Sequence, residues 1–455
     1  MQYLNIMDRK VFYIKTFGCQ MNERDSEIMA QSLAVHGYIE GMDIEGADLI
    51  ILNTCSIRAK AEQKVMSMLG YLRKNKKNKP HLKICVAGCV AQQEGRKIIS
   101  KMGHVDLIIG TQSIYDIGGL LEKVSKEGPQ VATGLDDKYD IPNLIPHLSP
   151  LTPDSNTNTA PFRKFVTIMQ GCNNYCTYCV VPHTRGRERS RNSSDIIDEV
   201  KVLVEGGVKE ITLLGQNVNS YGKTNSVNPL TESYSFAQLL RQVSEIKGLR
   251  RLRFTTSNPK DLTDELIHCF EDVKNLCPQF HLPVQAGSDS VLQRMNRKYN
   301  VQQYLKLVDK LRRCCPEIAL TTDIIVGFPG ESDQDFEGTM NLLENVQFHG
   351  SFSFKYSDRP GTRAITFTEK VDESVKSERL ARFQARQDEI SLKRNSEYIG
   401  QTKTVMVEDS SEKGVKSRTD TNHIVHLPVS AGLKSGDFLD VTIIHAGQHS
   451  LRGKV

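Results

Sequence analysis

Tryptophan is absent from the chain, so any aromatic contact to a ligand falls to tyrosine or phenylalanine. No apolar run approaches the length that crosses a bilayer, and a helical membrane protein is therefore not expected. The first residues, MQYLNIMDRKVFYIKTFGC, lack a basic segment followed by a long apolar stretch. No secretory signal is expected from them, and the cytoplasm is the default location. Strong charge of one sign is missing too. A net charge of +5 over 455 residues is too dilute to predict a polyanionic partner by itself. Two local clusters are denser, RKNKKNK at 73–79 and RGRERSR at 185–191, of which the first reads as a solvated helix end and loop.

What is present exceeds one ordinary core. The length predicts two or three domains, and eleven cysteines in a reducing compartment point to metal or redox chemistry rather than disulfides. Residues 9 to about 130 alternate strand-like and helix-like segments: VFYIKTFG (11–18), ADLIILNT (47–54), LKICVAG (82–88) and VDLIIG (105–110) are the strands. Short apolar strands separated by helices predict βαβ units and a parallel sheet. Cys19, Cys55 and Cys89 each follow one of these strands. Ligands of open α/β sheets bind beyond the carboxyl ends of the strands, so these three thiols are expected to converge. Cys85 lies inside its strand and reads as core.

Residues 135–160 carry four prolines among Asp, Asn, Ser and Thr, the composition of a linker. A second alternating series follows, with strands FVTIMQG (165–171), EITLLGQN (210–217), RLRFTTS (251–257), FHLPVQ (280–285), LTTDIIVGF (320–328) and GSFSFKYS (350–357). Six parallel strands fit either a doubly wound sheet or an open partial barrel, with the chemistry at the carboxyl ends in both. Polar residues at those ends, Gln216, Asn217, Ser257 and Gln285, are candidates to bind a ligand. From about 400, short alternating strands with Gly, Ser and Asp turns read as a small β-barrel. Its charge is near balance, seven Lys and Arg against six Asp and Glu. Cys269, Cys277, Cys314 and Cys315 lack ligand spacing and read as ordinary core or surface thiols.

Cys172, Cys176 and Cys179 form C-x3-C-x2-C after the first strand of the second series. Zinc sites favour four ligands, and His183 is the only neighbour that offers a fourth. Three thiolates on a short loop suit a cubane iron–sulfur cluster with one iron left open. With Tyr178 before the last cysteine, the pattern resembles the radical S-adenosylmethionine superfamily. The stretches TFGCQMNERDSE, LNTCSIRAKAEQKV, AGCVAQQEG, GCNNYCTYCVVPHTRGRERSR, HLPVQAGSDSVLQRMNR, TDIIVGFPGES and YSDRPGTRA are similar, over essentially the whole chain, to its methylthiotransferase family. They are nearest to the branch acting on isopentenylated adenosine in tRNA. His183 stands where that family more usually has tyrosine.

The resemblance implies an amino-terminal α/β domain at 9–134, a linker at 135–160, a partial (βα)6 barrel at 161–396 and a TRAM-type RNA-binding β-barrel at 397–455. It implies two 4Fe–4S clusters, one on Cys19, Cys55 and Cys89 and one on Cys172, Cys176 and Cys179, with S-adenosylmethionine on the open iron of the second. Gln216, Asn217, Ser257 and Gln285 are then candidates to hold S-adenosylmethionine. The implied reaction adds a methylthio group to carbon 2 of the adenine beside the anticodon. It consumes two molecules of S-adenosylmethionine and a cluster sulfur, and it needs a low-potential electron donor. Arg185, Arg187, Arg189 and Arg191 are read as a track for phosphates of an anticodon stem–loop or as a brace within the core, and Arg418 and Arg452 as RNA contacts of the terminal barrel. An electron-transfer protein with two clusters and a zinc-bearing RNA-binding module are the rivals from other classes, beside the family branch acting on threonylcarbamoyl-adenosine. Cleavage of S-adenosylmethionine excludes the first, and iron rather than zinc in the protein excludes the second.

Overall fold

A computed structural model describes residues 9–56, 59–143, 162–223, 234–430 and 432–455. Most of the proline-rich stretch falls outside them. The chain forms two compact units, and among the described residues no helix is long and apolar enough to cross a membrane.

The first unit is built on six parallel strands: β1 (Val11–Thr16), β2 (Ile39–Glu40), β3 (Leu49–Thr54), β4 (Lys83–Gly88), β5 (Leu107–Ile109) and β6 (Gln130–Ala132), in the order β2-β1-β3-β4-β5-β6. Successive side chains of a strand point to opposite faces. Leu49 and Ile51 accordingly enter one core with Ile28, Leu33 and Leu120, while Ile50 and Leu52 enter the other with Val65, Leu69 and Ile98. Both faces are covered, as parallel sheets require. The short edge strands β2 and β6 escape a reading of the sequence because two or three residues carry no period.

The second unit contains β7 (Arg163–Thr167), β10 (Glu210–Leu214), β11 (Arg251–Phe254), β12 (Gln279–His281), β13 (Ala319–Val326) and β14 (Gly350–Lys355). They pair as two parallel sheets, β11-β10-β7 and β12-β13-β14, and a parallel bridge between Leu252 and Leu276 joins one to the other. This is the partial barrel. The expected first strand at 165–171 stops short, however. Met169–Gln170 forms a separate strand β8, antiparallel to β9 (Arg189–Ser190). By its contacts the segment Met169–Asn173 and Val180–Arg191 belongs to the first unit, while Asn174–Cys179 belongs to the second.

The carboxy-terminal strands β15 (Thr402–Ser411), β16 (Gly414–Thr419), β17 (Ile424–Leu427), β18 (Phe438–Ala446) and β19 (Leu451–Lys454) close into a barrel in the order β15-β16-β17-β19-β18. Four of them are legible in the sequence. The fifth, β16, reads GVKSRT and has one apolar residue, so it gives no alternating signal. Val405, Val407, Val415, Val425, Val441 and Ile443 fill the interior. Two arginines of β11 fasten this barrel to the parallel sheet. Arg251 donates to the carbonyls of Arg418 and Thr404 (both 2.9 Å), and Arg253 to those of Asp420 (2.7 Å) and Thr419 (2.9 Å). Glu210 lies 3.1 Å from Arg253 and balances the charge.

Candidate functional site

Cys55 and Cys89 stand one residue beyond β3 and β4, and Cys19 three residues beyond β1. These strands are neighbours, so the loops that bear the cysteines are adjacent. Two glycines let them close in. Gly18 has φ +129, and a Cβ there would lie 2.3 Å from the Cys55 Cβ; Gly88 has φ +88, and a Cβ would meet the Thr54 carbonyl at 2.4 Å. L-residues are excluded at both places by backbone conformation and by space. Buried Asn22 ties the loops together, donating to the carbonyls of Phe17 (3.1 Å) and Thr54 (2.8 Å). A hydrogen bond with Cys55 and the nearby Arg185 cation draw the Cys19 thiol down to about 6 against the opposing effect of burial. Burial pushes the Cys89 thiol up, and Arg185 works against that shift. Three sulfurs with one already inclined to the thiolate form are a donor set that suits an iron–sulfur cluster. Cys85 is fully buried within β4, and burial raises its thiol far above the ordinary range.

The second triad lies on the loop after β7. Tyr175 adopts φ +45, and the Asn296 amide donates to the carbonyls of Asn174 (3.3 Å) and Tyr175 (3.0 Å). Thr177 is pinned from both sides: its N–H donates to the Met295 carbonyl, its hydroxyl to that of Arg294, and its carbonyl accepts from the Ala364 N–H. Arg297 donates to the Cys176 sulfur at 3.3 Å, and also to the Pro283 carbonyl and the Tyr299 hydroxyl. Burial disfavours the Arg297 charge, yet Tyr299, Tyr178 and the Cys176 sulfur outweigh it and keep the guanidinium protonated. Tyr178 is enclosed, edge-on to Phe328 with ring centroids 6.4 Å apart. Nothing in sequence spacing marked Arg297 or Asn296, which come from another loop more than a hundred residues away. His183 is exposed on the short helix Val181–Arg185.

The strand-end polar residues fall into place in the second unit. Asn217 is buried, and its amide donates to Asp261 at 2.8 Å while its own carbonyl oxygen has no hydrogen-bond partner. Ser257 is buried with its hydroxyl unpartnered. Gln285 is buried at φ +77, and Thr256, beside Ser257, has φ +72. Left-handed backbone at non-glycine residues costs energy and gathers at ligand sites; here it occurs after β7, β11 and β12. Gln216 is half-buried beside Asn217. Buried polar atoms with unused capacity fit a polar ligand such as S-adenosylmethionine. Asp261 and Lys223 (2.6 Å apart) complete this network and carried no motif. The turn at 326–331 is closed by Glu331, which accepts from the Gly327 N–H (2.8 Å) and from Arg379 (2.7 Å).

The arginine comb is not one exposed track. Arg185 and Arg191 are 4% and 3% exposed, so in this conformation neither reaches a phosphate. Arg185 is paired with Asp25 at 2.6 Å, which is the brace reading. The cause is the helix Val181–Arg185, which breaks the extended alternation that the spacing suggests. Arg187 is exposed, 3.6 Å from Asp137, and Arg189 donates to the Asp137 carbonyl. In the terminal barrel Arg452 is exposed, whereas the Arg418 guanidinium is held by Glu408 at 2.5 Å and is largely covered.

Two family models match the chain: "Uncharacterized protein family UPF0004" over residues 11–110 and "Radical SAM superfamily" over residues 166–343. The tRNA-2-methylthio-N(6)-dimethylallyladenosine synthase of Desulfotalea psychrophila is 63% identical over 449 residues, covering 99% of each chain. That of Syntrophobacter fumaroxidans is 47% identical over 451 residues, covering 98% of this chain and 96% of its own. Among solved structures, the radical S-adenosylmethionine methyltransferase TsrM from Kitasatospora setae is similar with a TM-score of 0.55 at 11% identity, covering 78% of this chain and 77% of its own. The cobalamin-dependent S-adenosylmethionine radical enzyme OxsB has a TM-score of 0.51 at 12% identity, covering 79% and 55%. At these identities the two structures speak for the fold alone.

Proposed function

From a chain that belongs to the tRNA-2-methylthio-N(6)-dimethylallyladenosine synthase family, we infer a tRNA methylthiotransferase. It adds a methylthio group to carbon 2 of N6-isopentenyladenosine next to the anticodon. The observation that carries this reading is the presence of two cysteine triads, each beyond the carboxyl ends of a parallel sheet, in a chain so similar to those synthases. When bound, two 4Fe–4S clusters and S-adenosylmethionine supply a radical strong enough for an aromatic C–H bond, together with the sulfur and methyl group that replace the hydrogen.

The protein's own residues bind, orient and shield. Cys172, Cys176 and Cys179 hold the cluster that takes S-adenosylmethionine, and Arg297 donates to the Cys176 sulfur. Asn217, Ser257 and Gln285, with Gln216 beside them, offer polar groups to S-adenosylmethionine. Cys19, Cys55 and Cys89 hold the auxiliary cluster. The anticodon stem–loop meets exposed cations, Arg452 on the terminal barrel and Arg187 after the second triad, with half-buried Arg189 beside the latter. The reaction takes place in the cytoplasm, where tRNA and a low-potential electron donor are at hand.

The test is nucleoside analysis of tRNA from a strain lacking this gene. The 2-methylthio-isopentenyl nucleoside should disappear and its isopentenyladenosine precursor should accumulate. An undiminished level of the methylthio nucleoside would overturn the reading.

A further inference from the structure

A guanidinium buried among thiols is costly unless its donors are used. Arg185 is such a group. Its Nη2 donates to Asp25 at 2.6 Å and faces the Asn22 side-chain oxygen at 3.4 Å. Its Nη1 is equally buried and has no hydrogen-bond partner. The same Asn22 oxygen accepts from the Cys19 sulfur at 3.6 Å, so the guanidinium and the first triad share a neighbour. Asn22 fixes the arrangement, since the side chain that meets Arg185 also donates to the loop carbonyls of Phe17 and Thr54. Asp25 holds one edge of the guanidinium and leaves Nη1 free to donate.

We propose that Arg185 is a positioning residue of the auxiliary site, whose Nη1 donates a hydrogen bond to a sulfur of the iron–sulfur cluster held by Cys19, Cys55 and Cys89, with Asp25 fixing its orientation. The proposal rests on the assignment of that cluster in the preceding reading. Hydrogen bonds to sulfur and net local charge set the potential of iron–sulfur clusters. Arg185 therefore favours the reduced form, and Asp25 opposes it.

The experiment uses the full chain with Cys172, Cys176 and Cys179 all changed to alanine, so that only the auxiliary cluster can assemble. Its midpoint potential is followed by EPR during a redox titration. Arg185→Gln should lower the potential by about the 59 mV that corresponds to a tenfold change in a one-electron couple, and Arg185→Lys by less. Asp25→Asn should raise it. Opposite signs from two partners of one ion pair are not the mark of general damage to the fold. Equal potentials in parent, Arg185→Gln and Asp25→Asn overturn the proposal, as does a shift of the same sign in both. If Arg185→Gln fails to assemble a cluster, the sign of the Asp25→Asn shift decides, and no rise overturns it. A parent that binds no cluster at Cys19, Cys55 and Cys89 overturns the auxiliary-site assignment itself, which is a distinguishable failure.

Discussion

The two cysteine triads differ in how the protein balances the cation placed beside them. At the first, Arg185 is matched by Asp25 at 2.6 Å, and both are almost completely buried. At the second, the hydrogen bonds of Arg297 run to a tyrosine hydroxyl, a carbonyl and the Cys176 sulfur itself. A buried charge needs a partner of opposite sign. At the second triad the ligand sulfur takes that part, and at the first a carboxylate shares it. The comparison teaches that the second site is completed electrically only with its thiolates formed, whereas the first is close to neutral without them.

The widest break in this comparison is removal of single ligands. Cys176→Ala should abolish 5′-deoxyadenosine formation, and Cys89→Ala should retain it while giving no methylthio product. Each variant should lose about four iron atoms, read by iron analysis and product chromatography. Next in size is Arg297→Met. Loss of a charged hydrogen bond worth about 1.5–3 kcal/mol should slow 5′-deoxyadenosine formation at least roughly tenfold and leave the auxiliary potential where it was. A moved auxiliary potential would show that the two arginines do not act separately.

Arg253→Met perturbs neither triad and serves as the contrast. It strips two of the four carbonyl contacts that brace the terminal barrel and leaves Glu210 short of a partner, a loss on the order of 3 kcal/mol. The KM for tRNA should rise while tRNA-independent cleavage of S-adenosylmethionine stays near that of the parent. The smallest effect is on pH dependence at the same seam. Burial pushes His349 down to about 3 and His423 to about 4. As pH falls below 6.5, the unfolded chain takes up protons that the folded chain refuses, so stability is full above that value and declines toward 4. Between pH 7 and 5 the Tm should fall by roughly 5 °C, and His423→Gln should flatten the slope. Burial opposes ionisation of Glu408, but Arg418 and Lys416 hold its carboxyl down at about 2, so its contribution is present above 4.5 and is lost only below it.

Much of this was legible in the sequence, and the physical reasons are specific. Strands such as LIILNT are apolar on both faces because both faces are covered, and the cysteines that follow them are markers that any parallel sheet would bring to one edge. The six strands of the partial barrel fall within the expected segments too, although RLRF and GSFSFK alternate polar with apolar residues. The spacing C-x3-C-x2-C is local and needs no fold to be read. The roles of Arg297, Asn296 and Asp261 were illegible, although the stretch HLPVQAGSDSVLQRMNR ends on the first two, because each acts across a distance in sequence that only the fold closes. The arginine comb was legible only as an open choice between track and brace. A five-residue helix turns Arg185 inward, and single short helices leave little period to detect.

The segment that carries Arg185 has a consequence for how such a protein can be taken apart. In sequence, the amino-terminal domain ends at a linker well before residue 160. In contacts, it reclaims Met169–Asn173 and Val180–Arg191 from beyond that linker. Cutting the chain at the linker would take from buried Asp25 its ion-pair partner Arg185. The domain is therefore not a portable cassette that recombination could pass between unrelated proteins, and its inheritance is bound to that of the strand and loop that follow it.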